Sequence, residues 1–128
     1  MSLTVPNDLL DQARAGEVED AAFVACVRDS LPYAWSVISE LVQQRARDGA
    51  EFADNEVPPP SEEARGQLLR CLASDAMRGA LERHFGVRLA FQNCHRVAVF
   101  DPAATEALSA FVTPRAQILN QKPELVDC

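Results

Sequence analysis

The chain has 128 residues, and 12 Lys and Arg against 19 Asp and Glu give a formal net charge of −7. Hydrophobic residues make up 48% and charged residues 24% of the chain, which is ordinary for a globular domain. These values exclude collagen-like, mucin-like and fully disordered proteins. A single domain over residues 1–128 is expected, because a chain of this length buries about two thirds of its unfolded surface.

Two features predict a cytoplasmic protein with no membrane contact, and the expected state of the cysteines follows from that compartment. The longest apolar run, Ala21–Val27, is far shorter than the roughly 20 residues of a membrane-spanning helix. The first residues show neither a basic region nor a hydrophobic stretch, so no signal peptide is expected. The cysteines form no C-x-x-C pair, and in a reducing compartment Cys26, Cys71, Cys94 and Cys128 are expected to be free thiols.

Charge is unevenly distributed along the chain. Residues 1–64 carry 13 acidic residues and 4 arginines, and residues 65–128 carry 8 basic and 6 acidic residues. The halves therefore differ in sign, at −9 and +2. An acidic face that binds a basic partner explains this asymmetry, and so do two halves that complement each other, which is the favoured explanation.

Capping residues predict three helices at the start of the chain. Pro6 opens a short helix that Gly16 closes, and a second helix with an apolar side follows. Ser30 predicts the N-cap of a third helix, with a proline in its first turn and Gly49 at its end. Residues 49–60 then form one long Pro-rich loop, because three consecutive prolines forbid helix.

Ser61 predicts the start of the next helix, since its hydroxyl suits an N-cap and two glutamates follow it. This helix either continues to Phe85, with Gly86 as its stop, or breaks at Ser74-Asp75, where Ser74 caps a separate helix. Apolar periodicity does not decide between the two.

The spacing of apolar residues changes after Gly86 from that of a helix to that of strands. Val87–Phe91 and Arg96–Phe100 are rich in β-forming residues and predict a hairpin. Two short helices and a short flexible tail at 122–128 follow. The expected fold is α+β and mostly α, a helical domain with one small β-hairpin near residues 87–100.

Most catalytic motifs are absent: the chain has no Gly-rich phosphate loop, H-E-x-x-H, G-x-S-x-G or EF-hand sequence. No catalytic residue is assigned, but Cys94 and His95 are candidates, because neighbouring His95 and Arg96 favour a thiolate. Adjacent strand residues point to opposite faces, however, which separates the two side chains unless they lie in the turn. The alternative is that Asn93 shapes the turn and Cys94 packs as a small hydrophobe.

A ligand site is a second hypothesis. A pocket between the hairpin and the helix ending at Phe85 would have His84, Arg83, Arg96 and Asn93 as binding candidates at its rim. Zinc is conceivable at Cys94, His95, His84 and Cys128, but the usual chelate spacings are missing. No cofactor or metal is therefore assigned.

A winged-helix nucleic-acid binder is a further hypothesis. Two helices that meet near Ser74-Asp75, followed by a hairpin, imitate that arrangement. Arg78 and Arg83 would lie on the second helix, and Arg88 and Arg96 on the wing. The net charge of −7 opposes this function, because neutralising phosphates supplies most non-specific affinity.

Protein interaction is the leading hypothesis. Phe52, Trp35 and Tyr33 are interface candidates, because these residue types often anchor interfaces. The loop with Val57 and three prolines offers apolar groups that are already extended. The alternative is that Phe52 and Trp35 fold back onto the core.

Two stretches carry a resemblance to a known family: Ala73–Gly86 and Phe91–Phe100, with further likeness over Gly49–Pro60 and Glu124–Cys128. Over most of its length the chain resembles a family of small actinobacterial proteins of streptomycete type, to which no activity is assigned. The resemblance implies a free-standing protein and transfers no functional residue. The sequence thus favours a non-enzymatic, cytoplasmic interaction or regulatory protein that self-associates as a homo-oligomer.

Overall fold

A computed structural model describes residues 3–121 as seven helices and three strands, which confirms the α+β, mostly α fold. In chain order the elements are α1 (Asn7–Arg14), α2 (Asp20–Ser30), α3 (Pro32–Asp48), β1 (Phe52–Asp54), α4 (Glu62–Leu72), α5 (Asp75–Phe85), β2 (Arg88–Gln92), β3 (Arg96–Phe100), α6 (Thr105–Phe111) and α7 (Pro114–Leu119). Among these helices none is both long and apolar enough to cross a membrane.

Two serine caps divide residues 61–85 into two helices. The Ser61 hydroxyl accepts a hydrogen bond from the Ala64 N–H at 3.1 Å. The Ser74 hydroxyl accepts one from the Met77 N–H at 3.2 Å, so a new helix begins at Asp75. The break at Ser74-Asp75 is therefore the correct alternative, and each cap is worth about 1 kcal/mol.

The predicted cap at Ser30 is wrong. Ser30 is the last residue of α2, and Leu31 precedes α3 without a side-chain cap. The Ser30 hydroxyl instead accepts a hydrogen bond from the Thr4 N–H at 2.9 Å, which ties the first residues to α2. Gly49 ends α3 in the left-handed conformation, as expected.

The Pro-rich loop at 49–60 contains a strand that the sequence did not predict. β1 pairs antiparallel with β3, which gives the sheet order β1-β3-β2. Three residues are too few to show alternation, and the pairing that creates this strand comes from more than 40 residues further along the chain. From α3 to β3 the connectivity is helix, strand, two helices and hairpin, which is that of a winged helix.

The sheet separates two apolar clusters. Its inner face, with Leu89, Val97 and Val99, packs in the main core against side chains of α2, α3, α4 and α5. Its outer face packs Phe100, which is fully buried, against Phe111 of α6. Because the hairpin is covered on both faces, its strands are buried almost throughout.

Candidate functional site

The hairpin turn that carries Cys94 and His95 is fastened to its surroundings. Asn93 and Cys94 adopt φ angles of 54° and 48°, and this left-handed backbone makes a tight turn. The side-chain amide of Asn93 donates a hydrogen bond to the backbone carbonyl of Gln117 in α7, at 2.8 Å. His95 is only 2% exposed, and its Nδ1 contacts the Asn93 carbonyl within the same turn.

Cys94 is disulfide-bonded, so the expectation of a free thiol at this position is wrong. A disulfide sulfur is not a thiolate, and the activation by His95 and Arg96 that the sequence suggested has no nucleophile to act on. Spacing along the chain carries no information about this bond, because a disulfide forms between residues that the fold brings together. Cys128 lies outside the described residues, whereas Cys26 and Cys71 are free and buried.

The ligand candidates are divided among different elements. Arg83 donates two hydrogen bonds to the Asp20 carboxylate of α2, at 2.7 and 3.0 Å. The hydrogen bond and charge of Arg83 lower the pKa of Asp20. The His84 ring contacts the Trp35 ring of α3, with centroids 5.6 Å apart. Arg96 instead contacts β1, so these side chains do not converge on one pocket.

All four arginines of the expected winged-helix surface form ion pairs with carboxylates. The pairs are Arg78–Asp75 at 2.6 Å, Arg83–Asp20 at 2.7 Å, Arg88–Glu82 at 3.4 Å and Arg96–Asp54 at 2.6 Å. Each carboxylate cancels the charge that would attract a phosphate. The wing itself is covered, since α6 and α7 receive hydrogen bonds from its Gln92 and Asn93 side chains.

No group of three or more His, Cys, Asp or Glu side chains within residues 3–121 is arranged to hold a metal ion. His84 and His95 belong to different parts of the fold, as their separate contacts with α3 and with the hairpin turn show.

The three interface candidates have different environments. Trp35 is half-buried, and its ring contacts the Phe85 ring at 5.1 Å. Phe52 is 42% exposed, but its ring stacks on the Phe100 ring with centroids 5.3 Å apart. Phe52 therefore packs partly against the outer cluster, the apolar cluster that contains Phe100 and Phe111. Tyr33 lines an open groove, which sets it apart from the other two.

This groove, called the α3 groove below, lies between α3 and the segment 54–60 and has a volume of about 640 Å³. Val57 in its wall is 77% exposed, a large value for an apolar side chain. The groove is lined by Tyr33, Ser36, Val37, Glu40, Leu41, Gln44, Asp54, Asn55, Glu56, Val57, Pro58 and Pro60. Its lining therefore joins one face of a helix to a Pro-rich wall, the segment 54–60.

The charged side chains that line the α3 groove are acidic. Within the described part of the chain, Glu40 and Glu56 form no ion pair, whereas Asp54 is paired with Arg96. Burial, and next the negative charge of Glu40, raise the pKa of Tyr33. The groove thus combines apolar side chains with two carboxylates, one from α3 and one from segment 54–60.

Asn55 holds the Pro-rich wall against the sheet. Its side chain donates to the His95 carbonyl at 2.7 Å and accepts from the Val97 N–H at 2.7 Å. Sequence reasoning missed Asn55 and Glu40. The spacing of Tyr33, Val37 and Glu40 places them on one face of a helix, and this was the available signal for Glu40. The position of segment 54–60 against that helix was not predictable from the sequence.

The family model described as NucS shadow ORF matches residues 1–128. The chain belongs to this family. The description NucS shadow ORF names no activity, ligand or partner for the members of this family. No curated protein matches the chain. No solved structure matches it either. The match to NucS shadow ORF says nothing about source, so the resemblance to small actinobacterial proteins stays a prediction.

Proposed function

We propose that the chain is a non-enzymatic interaction protein of regulatory type, which self-associates and binds a partner protein through the α3 groove. The α3 groove itself carries the proposal: it is open, its lining includes apolar side chains with Val57 exposed, and its two glutamates form no ion pair within residues 3–121. Exposed apolar groups rimmed by polar ones are typical of interaction sites.

The charge of the groove defines its partner. Glu40 on α3 and Glu56 on the Pro-rich wall line the groove together with apolar side chains. A segment with alternating basic and apolar side chains matches this arrangement, because its cations reach the carboxylates while its apolar groups cover Val37 and Val57. The three prolines of this wall have restricted backbone angles, which reduces the ordering cost of binding.

No observation favours the other functions to the same degree. The arginines of the winged-helix surface are paired with carboxylates, and Cys94 is disulfide-bonded. A paired arginine has to break its ion pair before it binds phosphate, which lowers its contribution.

An NMR titration tests the groove. The probe is a synthetic hexapeptide of alternating arginine and leucine, and its counterpart of alternating glutamate and leucine is the control. We expect the basic peptide to shift the amide resonances of α3 and segment 54–60. The double variant Glu40→Gln, Glu56→Gln is expected to bind it several-fold more weakly, because two partly screened ion pairs are lost.

A double variant with the same change of net charge, Glu17→Gln, Glu106→Gln, is the matched control, since both residues are exposed and lie outside the groove. It should retain the affinity of the wild type. Equal weakening by both double variants, or equal binding of the acidic peptide, would show that the groove is not a specific site.

A further inference from the structure

The hairpin turn holds a cysteine at a position that suits glycine. Asn93 and Cys94 have φ angles of 54° and 48°, so two successive residues of the turn are left-handed. Glycine adopts this conformation without strain, and asparagine tolerates it because its short polar side chain bonds locally. Cysteine has neither advantage. The backbone of the turn therefore does not explain Cys94, and the chemistry of its sulfur does.

The sulfur of Cys94 is part of a disulfide. Cys26 and Cys71 are free thiols, so neither is the partner of Cys94. The sequence contains four cysteines, and the one that remains is Cys128, which lies outside the described residues. Elimination therefore assigns Cys128 as the partner within one chain.

The helix α7 is held to the hairpin by polar contacts. It has six residues, and none of them is buried. The Asn93 side chain donates to the Gln117 carbonyl of α7, and the Asn120 side chain, just after α7, donates to the Gln92 side chain, both at 2.8 Å. A helix of this length is unstable by itself. The position of α7 therefore depends on the turn that carries Cys94.

We propose that a disulfide between Cys94 and Cys128 is a redox-sensitive latch, which holds α7 on the hairpin turn and releases it when the disulfide is reduced. The bond closes a loop of chain that contains β3, α6 and α7. Closing such a loop restricts the open states of the chain within it, so the latch opposes local unfolding of α7. This device is separate from the α3 groove and does not depend on it.

Reduction of the latch needs a dithiol, which supplies two electrons. One thiolate of the dithiol attacks a sulfur of the disulfide, breaks the S–S bond and forms a mixed disulfide. The second thiolate of the dithiol then displaces the cysteine and leaves the reductant as a cyclic disulfide. The two released cysteines take up the two protons that the dithiol gave up. Because Cys94 is half-buried, a small dithiol can approach its sulfur.

Hydrogen exchange of the oxidised chain, and of the chain reduced with dithiothreitol, tests the latch. We expect the amides of α7 to exchange at least about tenfold faster after reduction, because the loss of a loop-closing disulfide favours local opening. The amides of α3, which lies outside the closed loop, should exchange at the same rate in both states. Unchanged exchange of α7 on reduction would overturn the latch.

Serine variants test the pairing. Cys94→Ser and Cys128→Ser should each show the fast α7 exchange of the reduced wild type without dithiothreitol, and neither should respond to the reagent. Cys26→Ser is the matched control, since Cys26 is a free thiol, and it should retain the response of the wild type. A response to dithiothreitol that persists in Cys128→Ser would overturn the assignment of Cys128.

Counting thiols in the wild type keeps the test decisive if a variant does not fold. In denaturant without reductant, the freshly purified chain should contain two reactive thiols, Cys26 and Cys71, and after reduction it should contain four. Four reactive thiols before reduction would show that the bond does not form. A disulfide-linked dimer in non-reducing electrophoresis would show that it forms between chains, and either result overturns the proposal.

Discussion

Replacing Asn55 with Ala should destabilise the fold more than any other single polar substitution in the groove. The side chain makes two hydrogen bonds, to the His95 carbonyl and from the Val97 N–H, both at 2.7 Å. Val97 is fully buried, so its N–H would lose its partner without gaining water. A net loss of about 1 kcal/mol for each of the two hydrogen bonds, plus about 1–2 kcal/mol for the orphaned N–H, gives roughly 3–4 kcal/mol.

Urea unfolding followed by circular dichroism measures this free energy. Asn55→Asp separates the two bonds: its carboxylate still accepts from the Val97 N–H but cannot donate to the His95 carbonyl, so we expect an intermediate loss. Gln43→Ala, at an exposed position of α3, is the control and should stay within about 0.5 kcal/mol of wild type. A free energy of unfolding for Asn55→Ala within that same margin would refute the role of Asn55 in holding the wall.

Further predictions concern the core, a helix cap and a buried thiol. Phe100→Ala should cost about 3–5 kcal/mol in urea unfolding, because Phe100 is fully buried between Phe52 and the Phe111 ring; a cost below 1 kcal/mol would contradict the outer cluster. Ser74→Ala should cost about 1 kcal/mol, and an unchanged midpoint would contradict the cap. Burial raises the pKa of the Cys71 thiol from 9.0 to about 11. Because the folded pKa is the higher one, this thiol favours the folded state below pH 9.0 and loses that contribution as pH rises toward 11. Alkylation of Cys71 by iodoacetamide at pH 8 should therefore require unfolding, and rapid labelling of the folded chain would contradict its burial.

The helices were predictable where one local signal sufficed. Ser61 and Gly49 mark helix ends because capping depends on a few neighbouring residues, and both positions are confirmed. The hairpin followed from two β-rich runs close together. The prediction of an N-cap at Ser30 was wrong because a serine hydroxyl can also accept a hydrogen bond from distant backbone, here the Thr4 N–H.

The remainder of the fold depended on long-range pairing. β1 exists because residues 52–54 lie beside β3, and three residues leave no periodic signal of their own. Because β1 pairs with β3, Arg96 forms its ion pair with Asp54 of β1. Arg83 forms its ion pair elsewhere, with Asp20 of α2. Residues that look like one cluster in the sequence were therefore separated by a strand that the sequence did not predict.

The candidate site was predictable only in its parts. Val57 and the prolines were identified as apolar groups in a polar stretch, and Tyr33 as an interface candidate by its residue type; both are local properties of the sequence. That α3 and segment 54–60 face each other across a groove depends on Asn55 and β1, and no spacing along the chain encodes that contact.

Native mass spectrometry of the freshly purified chain is the measurement that tests the central claim, that this is a self-associating protein without catalytic machinery. The account predicts a dimer, at twice the monomer mass of 14.0 kDa, with no additional bound mass and in equilibrium with monomer on dilution. A monomer at all concentrations that carries a tightly bound metal or small molecule, released by chelator or denaturant, would contradict it.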